Sequence, residues 1–108
     1  MLEISVTKVA HIVLMSRELN RAEGELRAFI DRLSDEEQVS LVALMWIGRG
    51  TFEPEELDEA IQTAAEEATT PTADYLLGTP HLSDHLENGL DALGLSAADE
   101  EDDLIRGG

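Results

Sequence analysis

SDEEQVSLVALMWIGRG, residues 34–50, decides how the rest of the chain is read. Ser34 followed three positions later by Glu37 has the spacing of a capping box, in which each side chain accepts a hydrogen bond from the other's backbone N–H. Asp35, Glu36 and Glu37 put negative charge where a helix dipole is positive. From Val39 to Ile47 only Ser40 is polar, so the segment is apolar all round, and a helix of that kind is surrounded by others. It falls well short of the roughly 20 apolar residues that span a bilayer. The stretch predicts a buried central helix over residues 35–48, with Gly48 or Gly50 in the left-handed cap that stops it.

The flanks read as helices too, with capping residues at the joints. Ser5 caps a first helix running to Asn20, with Val6, Val9, Ala10 and Val13 on one face. Asn20 and Glu23 have capping-box spacing, and Leu26, Phe29, Ile30 and Leu33 then form a clear amphipathic stripe. After the central helix, Phe52 and Leu57 bracket Glu53 as a hydrophobic staple, with Pro54 at the first helical position. Leu57, Ala60, Ile61, Ala64 and Ala68 make a narrow, alanine-lined face. Thr70-Pro71 and Thr79-Pro80 each set a proline after a capping threonine. They open a short helix ending at Gly78 and a longer one carrying Leu82, Leu86, Leu90 and Leu93, which Gly94 ends. Ser96 caps an acidic last turn, AADEEDDLI. The leucines of residues 82–93 bury either in the core or in a dimer. No linker or repeat divides the chain. The expectation is an all-α fold: a compact single-domain helical bundle, residues 1–105, of five to seven helices around the buried central one, with residues 106–108 a frayed tail.

Composition narrows the function. The 108 residues are 43% apolar with four aromatic side chains, enough for a core built mainly from Leu, Ile, Val, Ala and Met. Without cysteine there is no disulfide or thiolate chemistry, and a metal would rest on His and carboxylates. MLEISVTKVAHIVLM carries Glu3, Lys8 and His11 and no small-residue cleavage site, so it reads as a helix of the mature protein and not as a signal peptide. A soluble cytoplasmic protein is expected. The net charge of −17 opposes binding to nucleic acid or an anionic membrane, because either needs a basic patch. That charge is unevenly spread. Residues 1–49 hold six basic and eight acidic side chains, whereas residues 50–105 hold sixteen acids and no Lys or Arg. Such a field attracts a basic partner, and it also serves plain solubility.

Few residues have the pattern of a reactive site. HLSDH, residues 81–85, sets His81 and His85 at the i, i+4 spacing of a zinc-binding helix. Yet the position after the first histidine is Leu82 where the protease pattern needs a general base. Asp84 or Glu87 is a possible carboxylate ligand, and His11 a remote third imidazole. The run Asp99 to Asp103 lacks the ligand alternation and central glycine of a calcium loop. Gly48-Arg49-Gly50 lacks the glycine and lysine of a phosphate loop, and no nucleophile elbow occurs. Ser34-Asp35 reverses the Asp-Ser order of acyl carrier proteins. No cofactor is indicated.

Two blocks, FIDRLSDEEQVSLVALMWIGRGTF (residues 29–52) and TADYLLGTPHLSDHLENGL (residues 72–90), together with ISVTKV (residues 4–9), resemble a bacterial family of short uncharacterised proteins, domain of unknown function family 3775. Members often carry a longer Pro- and Gly-containing insertion after the first helix, where this chain is short. The resemblance implies no activity, substrate or cofactor. It does direct attention to family-like positions without a core duty: Arg49, Tyr75, Thr79, Pro80 and Asp84. Trp46, Leu76, Leu77 and Leu86 read as packing.

The functional expectation is a non-catalytic, acidic protein-interaction module in the cytoplasm, monomeric or homodimeric, with a basic protein as partner. Its surface would lie where the Gly48–Gly50 corner meets the Gly78–Pro80 corner, with Arg49 paired to Asp74 or Asp84. The alternatives are a small metal-dependent hydrolase using His81 and His85, and an acidic mimic of nucleic acid that occupies a basic groove.

Overall fold

The computed structural model describes residues 2–95, apart from the side chains of Leu19 and Asn20. It contains α1 (Val6–Arg17), α2 (Leu19–Asp31), α3 (Asp35–Arg49), α4 (Leu57–Glu66), α5 (Thr72–Leu77) and α6 (Leu82–Ala92), with a 3-10 turn at Pro54–Glu56 leading into α4. Among the described residues there is no strand. Over the described residues the protein is an all-α globule of six helices, within the range the sequence predicts. The cap expected at Ser96, the acidic last turn and the tail lie outside the described residues.

α3 forms as its sequence dictates. Ser34 Oγ accepts from the Glu37 N–H at 3.1 Å, and Glu37 Oε1 accepts from the Ser34 N–H at 3.0 Å. Eight consecutive residues, Ser40 to Ile47, are buried, because α4, α5 and α6 all pack on this helix. Among the described residues Ser40 is the one buried polar side chain, and its hydroxyl is satisfied: it accepts from the Glu3 N–H at 2.9 Å, tying the N-terminal segment to α3. Gly50 ends the helix at φ 90°, and Thr51 N–H reaches back to the Trp46 carbonyl at 2.9 Å.

α6 is the second inner helix, packed between α1 and α3. Leu82, Leu86 and Leu90 bury in the core, and Leu93 is half-buried against it. Gly48 is not the cap. It lies within α3, where a Cβ would fall 1.6 Å from the His85 carbonyl oxygen. In return a Cβ on Gly89 would fall 2.4 Å from the Leu44 carbonyl oxygen. Leu44 and Gly48 are one turn apart on α3, as are His85 and Gly89 on α6, so each glycine admits the other helix's backbone.

Three joints differ from expectation. α2 starts at Leu19 with Glu18 as its N-cap, so Asn20 lies inside a helix and opens none. Nothing between Arg17 and Leu19 breaks helical propensity, and one residue at φ −110° suffices for the bend. Pro71 is the N-cap of α5 and not its first helical residue, with Tyr75 N–H bonded to the Pro71 carbonyl at 3.1 Å. Thr79 does not cap α6. Its hydroxyl donates back to the Tyr75 carbonyl at 2.9 Å, closing α5, and α6 starts at Leu82 after a left-handed His81 at φ 58°.

The first helix is pinned to the start of α3 by charge. Lys8 Nζ lies 2.6 Å from Glu37 Oε2, and this bond together with the Ser34 cap holds the Glu37 carboxyl below its usual range. A lowered folded-state pKa gives stability that is present above the unfolded carboxylate pKa and is lost as pH falls through the folded value. Glu37→Gln is expected to be less stable than the parent near neutrality and to lose less on acidification below about pH 4.5. Urea denaturation of both proteins across that range checks this.

Candidate functional site

The groove between α3, α5 and the α4–α5 connection is the feature best built to hold another molecule. Val39, Val42 and Trp46 recur at i, i+3 and i+7, so α3 turns one stripe of side chains into it. Ala64 of α4 and Tyr75 of α5 face them across a space of about 270 Å³. Phe52 stacks behind Trp46 with ring centroids 5.7 Å apart and planes 26° from parallel. The indole Nε1–H donates to the Tyr75 hydroxyl at 2.9 Å. As that hydroxyl accepts from Trp46, its own hydrogen is left to donate. The rim holds Glu67, Ala68, Thr69 and Thr70, all exposed.

The expected site residues are scattered. Arg49 is exposed, and its Nε donates to Thr51 Oγ1 at 3.1 Å. The expected pairing with Asp74 or Asp84 is not what forms: Asp74 takes Arg27, because α5 packs on α2. Asp84 stands exposed in the first turn of α6, where its charge suits the helix dipole. Thr79 and Pro80 line a second cavity of about 290 Å³, with Ser16 and Ser83. Of the Gly48–Gly50 corner, Gly48 lies against the α6 backbone at His85 and Gly89. Tyr75 is thus the one candidate the fold brings into the groove. Arg49→Ala is expected to change stability by less than about 0.5 kcal/mol, the ordinary range for an exposed side chain; chemical denaturation beside the parent measures it.

The histidines are apart in role. His81 is exposed, and its left-handed backbone takes it off the regular stripe that an i, i+4 pair assumes. His11 packs against Phe29, with ring centroids 5.0 Å apart. Among the described residues no three His, Cys, Asp or Glu side chains form a ligand set.

The charge asymmetry of the sequence becomes a set of pairings. Arg17 of α1 bonds to Glu87 of α6, and Arg27 of α2 to Asp74 of α5, so cations of the first half hold acids of the second. The sequence signals the imbalance but not the partners, which only helix packing selects. The Trp46–Tyr75 bond was equally hidden, since the two residues are 29 positions apart. No helix among the described residues is long and apolar enough to cross a membrane.

Fold and groove together define a small, acidic, all-helical protein with an open apolar recess. A family model described as Protein of unknown function (DUF3775) matches residues 23–95, more than half of the chain, and the chain belongs to that family. The match runs from within α2 to the end of α6 and so includes every residue of the groove. No curated protein and no solved structure matches the chain.

Proposed function

We propose that this chain is a non-catalytic protein-interaction module of the cytoplasm whose partner binds in the groove over Trp46 and Tyr75. The groove carries this reading: an apolar recess between helices, open to solvent, with a hydrogen-bonded aromatic pair on one wall and a hydroxyl hydrogen to spare. Recesses of this sort between helices commonly receive a partner's side chains. The acidic second half supports the same reading by favouring encounter with a basic surface. The hydrolase alternative built on His81 and His85 is not carried further, because no third ligand joins them among the described residues.

The test is affinity capture from native cytoplasm with three baits. Ala68→Trp places a bulky ring on the exposed rim and fills the recess, while Arg49→Ala alters a corner outside it. A partner retained by the parent and by Arg49→Ala but lost from Ala68→Trp is the expected result. Partners that bind the parent and Ala68→Trp equally would refute the site.

A further inference from the structure

The groove's own chemistry narrows what enters it, and the inference rests on the reading of the groove as a binding site. Its walls are Val42, Trp46 and Ala64, and its rim carries the exposed Glu67. Glu66, next to it in the chain and outside the lining, is also exposed and accepts from Gln62 Nε2 at 3.1 Å. Those two carboxylates stand at the C-terminal end of α4, which has no basic residue in its last turn. The carbonyls there already make the helix end negative, so the acids are held in a field that repels them. Asp35, also exposed, sits one helical turn before Val39 at the α3 end of the recess. The chain supplies no Lys or Arg from Gly50 to Leu95. A cation from outside would relieve the repulsion. The space of about 270 Å³ lies below the roughly 300–1,000 Å³ of pockets that enclose drug-sized ligands and cofactors. It suits one or two side chains.

We propose that the groove receives a basic amphipathic segment of a partner protein. One bulky apolar side chain seats against Val42, Trp46 and Ala64, and a Lys or Arg one helical turn away reaches Glu67, with Glu66 adding negative charge beside it. The Tyr75 hydroxyl donates to a backbone carbonyl of the segment. Apolar anchoring supplies affinity, and the carboxylates select the sign of the partner's charge.

The experiment is a surface-display selection of short peptides against the intact parent protein, with Ala68→Trp used to remove binders that do not need the groove. The expected survivors carry a single bulky apolar residue with Lys or Arg within one turn of it. They shift the Trp46 indole N–H resonance, and they bind the double variant Glu66→Gln/Glu67→Gln about fivefold more weakly at low salt. Survivors without basic residues, affinity unchanged in the double variant, or no groove-dependent survivors would each overturn the proposal. A cytoplasmic partner that is lost from Ala68→Trp yet contacts the groove through a neutral or acidic segment would overturn this inference while leaving the interaction module standing. Absence of any groove-dependent partner in the capture experiment counts against the module itself.

Discussion

Gly48→Ala is expected to melt far below the parent. The added Cβ would lie 1.6 Å from the His85 carbonyl oxygen, 2.6 Å from its carbonyl carbon and 2.8 Å from the Gly89 nitrogen. All three are backbone atoms of α6, so no side chain can rotate out of the way, and the two inner helices must separate. Separation loosens Leu44, Leu86 and Leu90 together, each fully buried at the parent spacing. Overpacking a well-fitted core costs about 1–3 kcal/mol and sometimes more, and a backbone clash puts this substitution at about 3 kcal/mol or above. Against a total stability of roughly 5–15 kcal/mol, that corresponds to a fall in Tm of roughly 12–24 °C. Gly24→Ala is the matched control. It is the same chemical change within α2, at an exposed position with nothing within 4 Å of the new atom. There the gain in helix propensity raises stability by about 0.5–1 kcal/mol. Thermal denaturation followed by circular dichroism should therefore show opposite signs for two Gly→Ala changes. If both variants melt within a few degrees of the parent, the close crossing of α3 and α6 is wrong.

Trp46→Ala is expected to lose about 3–5 kcal/mol, the usual cost of truncating a large core aromatic. Trp46 is 9% exposed, stacks on Phe52 and donates to the Tyr75 hydroxyl. Its removal leaves Phe52 without its stacking partner and joins the space of the indole to the groove. Trp46→Phe keeps most of the ring and should cost about 1–2 kcal/mol, since the Tyr75 hydroxyl that loses its donor is only half-buried and can turn to water. Urea denaturation of the pair provides the measurement. A loss under about 1 kcal/mol for Trp46→Ala would show that the indole lies on the surface of the groove and is no part of the core. Because the same residue forms a wall of the recess, it is a poor probe of binding. Ala68 and the two glutamates serve that purpose better, being exposed.

What the sequence made legible was local. The Ser34–Glu37 capping box, the apolar run to Ile47 and Gly50 gave α3 within a residue at either end, because each signal is read within one or two turns of chain. The leucine stripe of α6 was legible for the same reason. The contact of Gly48 with α6 was not. A glycine near a helix end reads as a cap, and only the approach of a helix more than thirty residues later shows that Gly48 is needed for space. Arg49 illustrates the opposite error. Isolated between two glycines, it stands out by its neighbours in the chain, yet among the described residues its exposed guanidinium hydrogen-bonds to the nearby Thr51 hydroxyl and to no acid of the second half. Asp74, its expected partner, is held by Arg27 because α5 lies on α2, a long-range choice without a local signature. Thr79 was singled out as a site residue, and its hydroxyl closes α5. Tyr75 was singled out as well, and the fold places it on the groove wall beside Trp46. Of the candidate site, one residue was therefore readable from the sequence, and the groove that gives it meaning was not.

The claim that the groove is where a partner binds is tested most directly by photo-crosslinking from its rim. A photoreactive amino acid at Thr69, exposed beside the recess, and at Arg21, exposed on α2 and not among the residues that line it, gives two otherwise equivalent probes. Irradiation in native cytoplasm is expected to yield a discrete crosslinked partner from position 69, abolished by Ala68→Trp, and none of that species from position 21. The same crosslinked species from position 21 with none from position 69 would contradict the account.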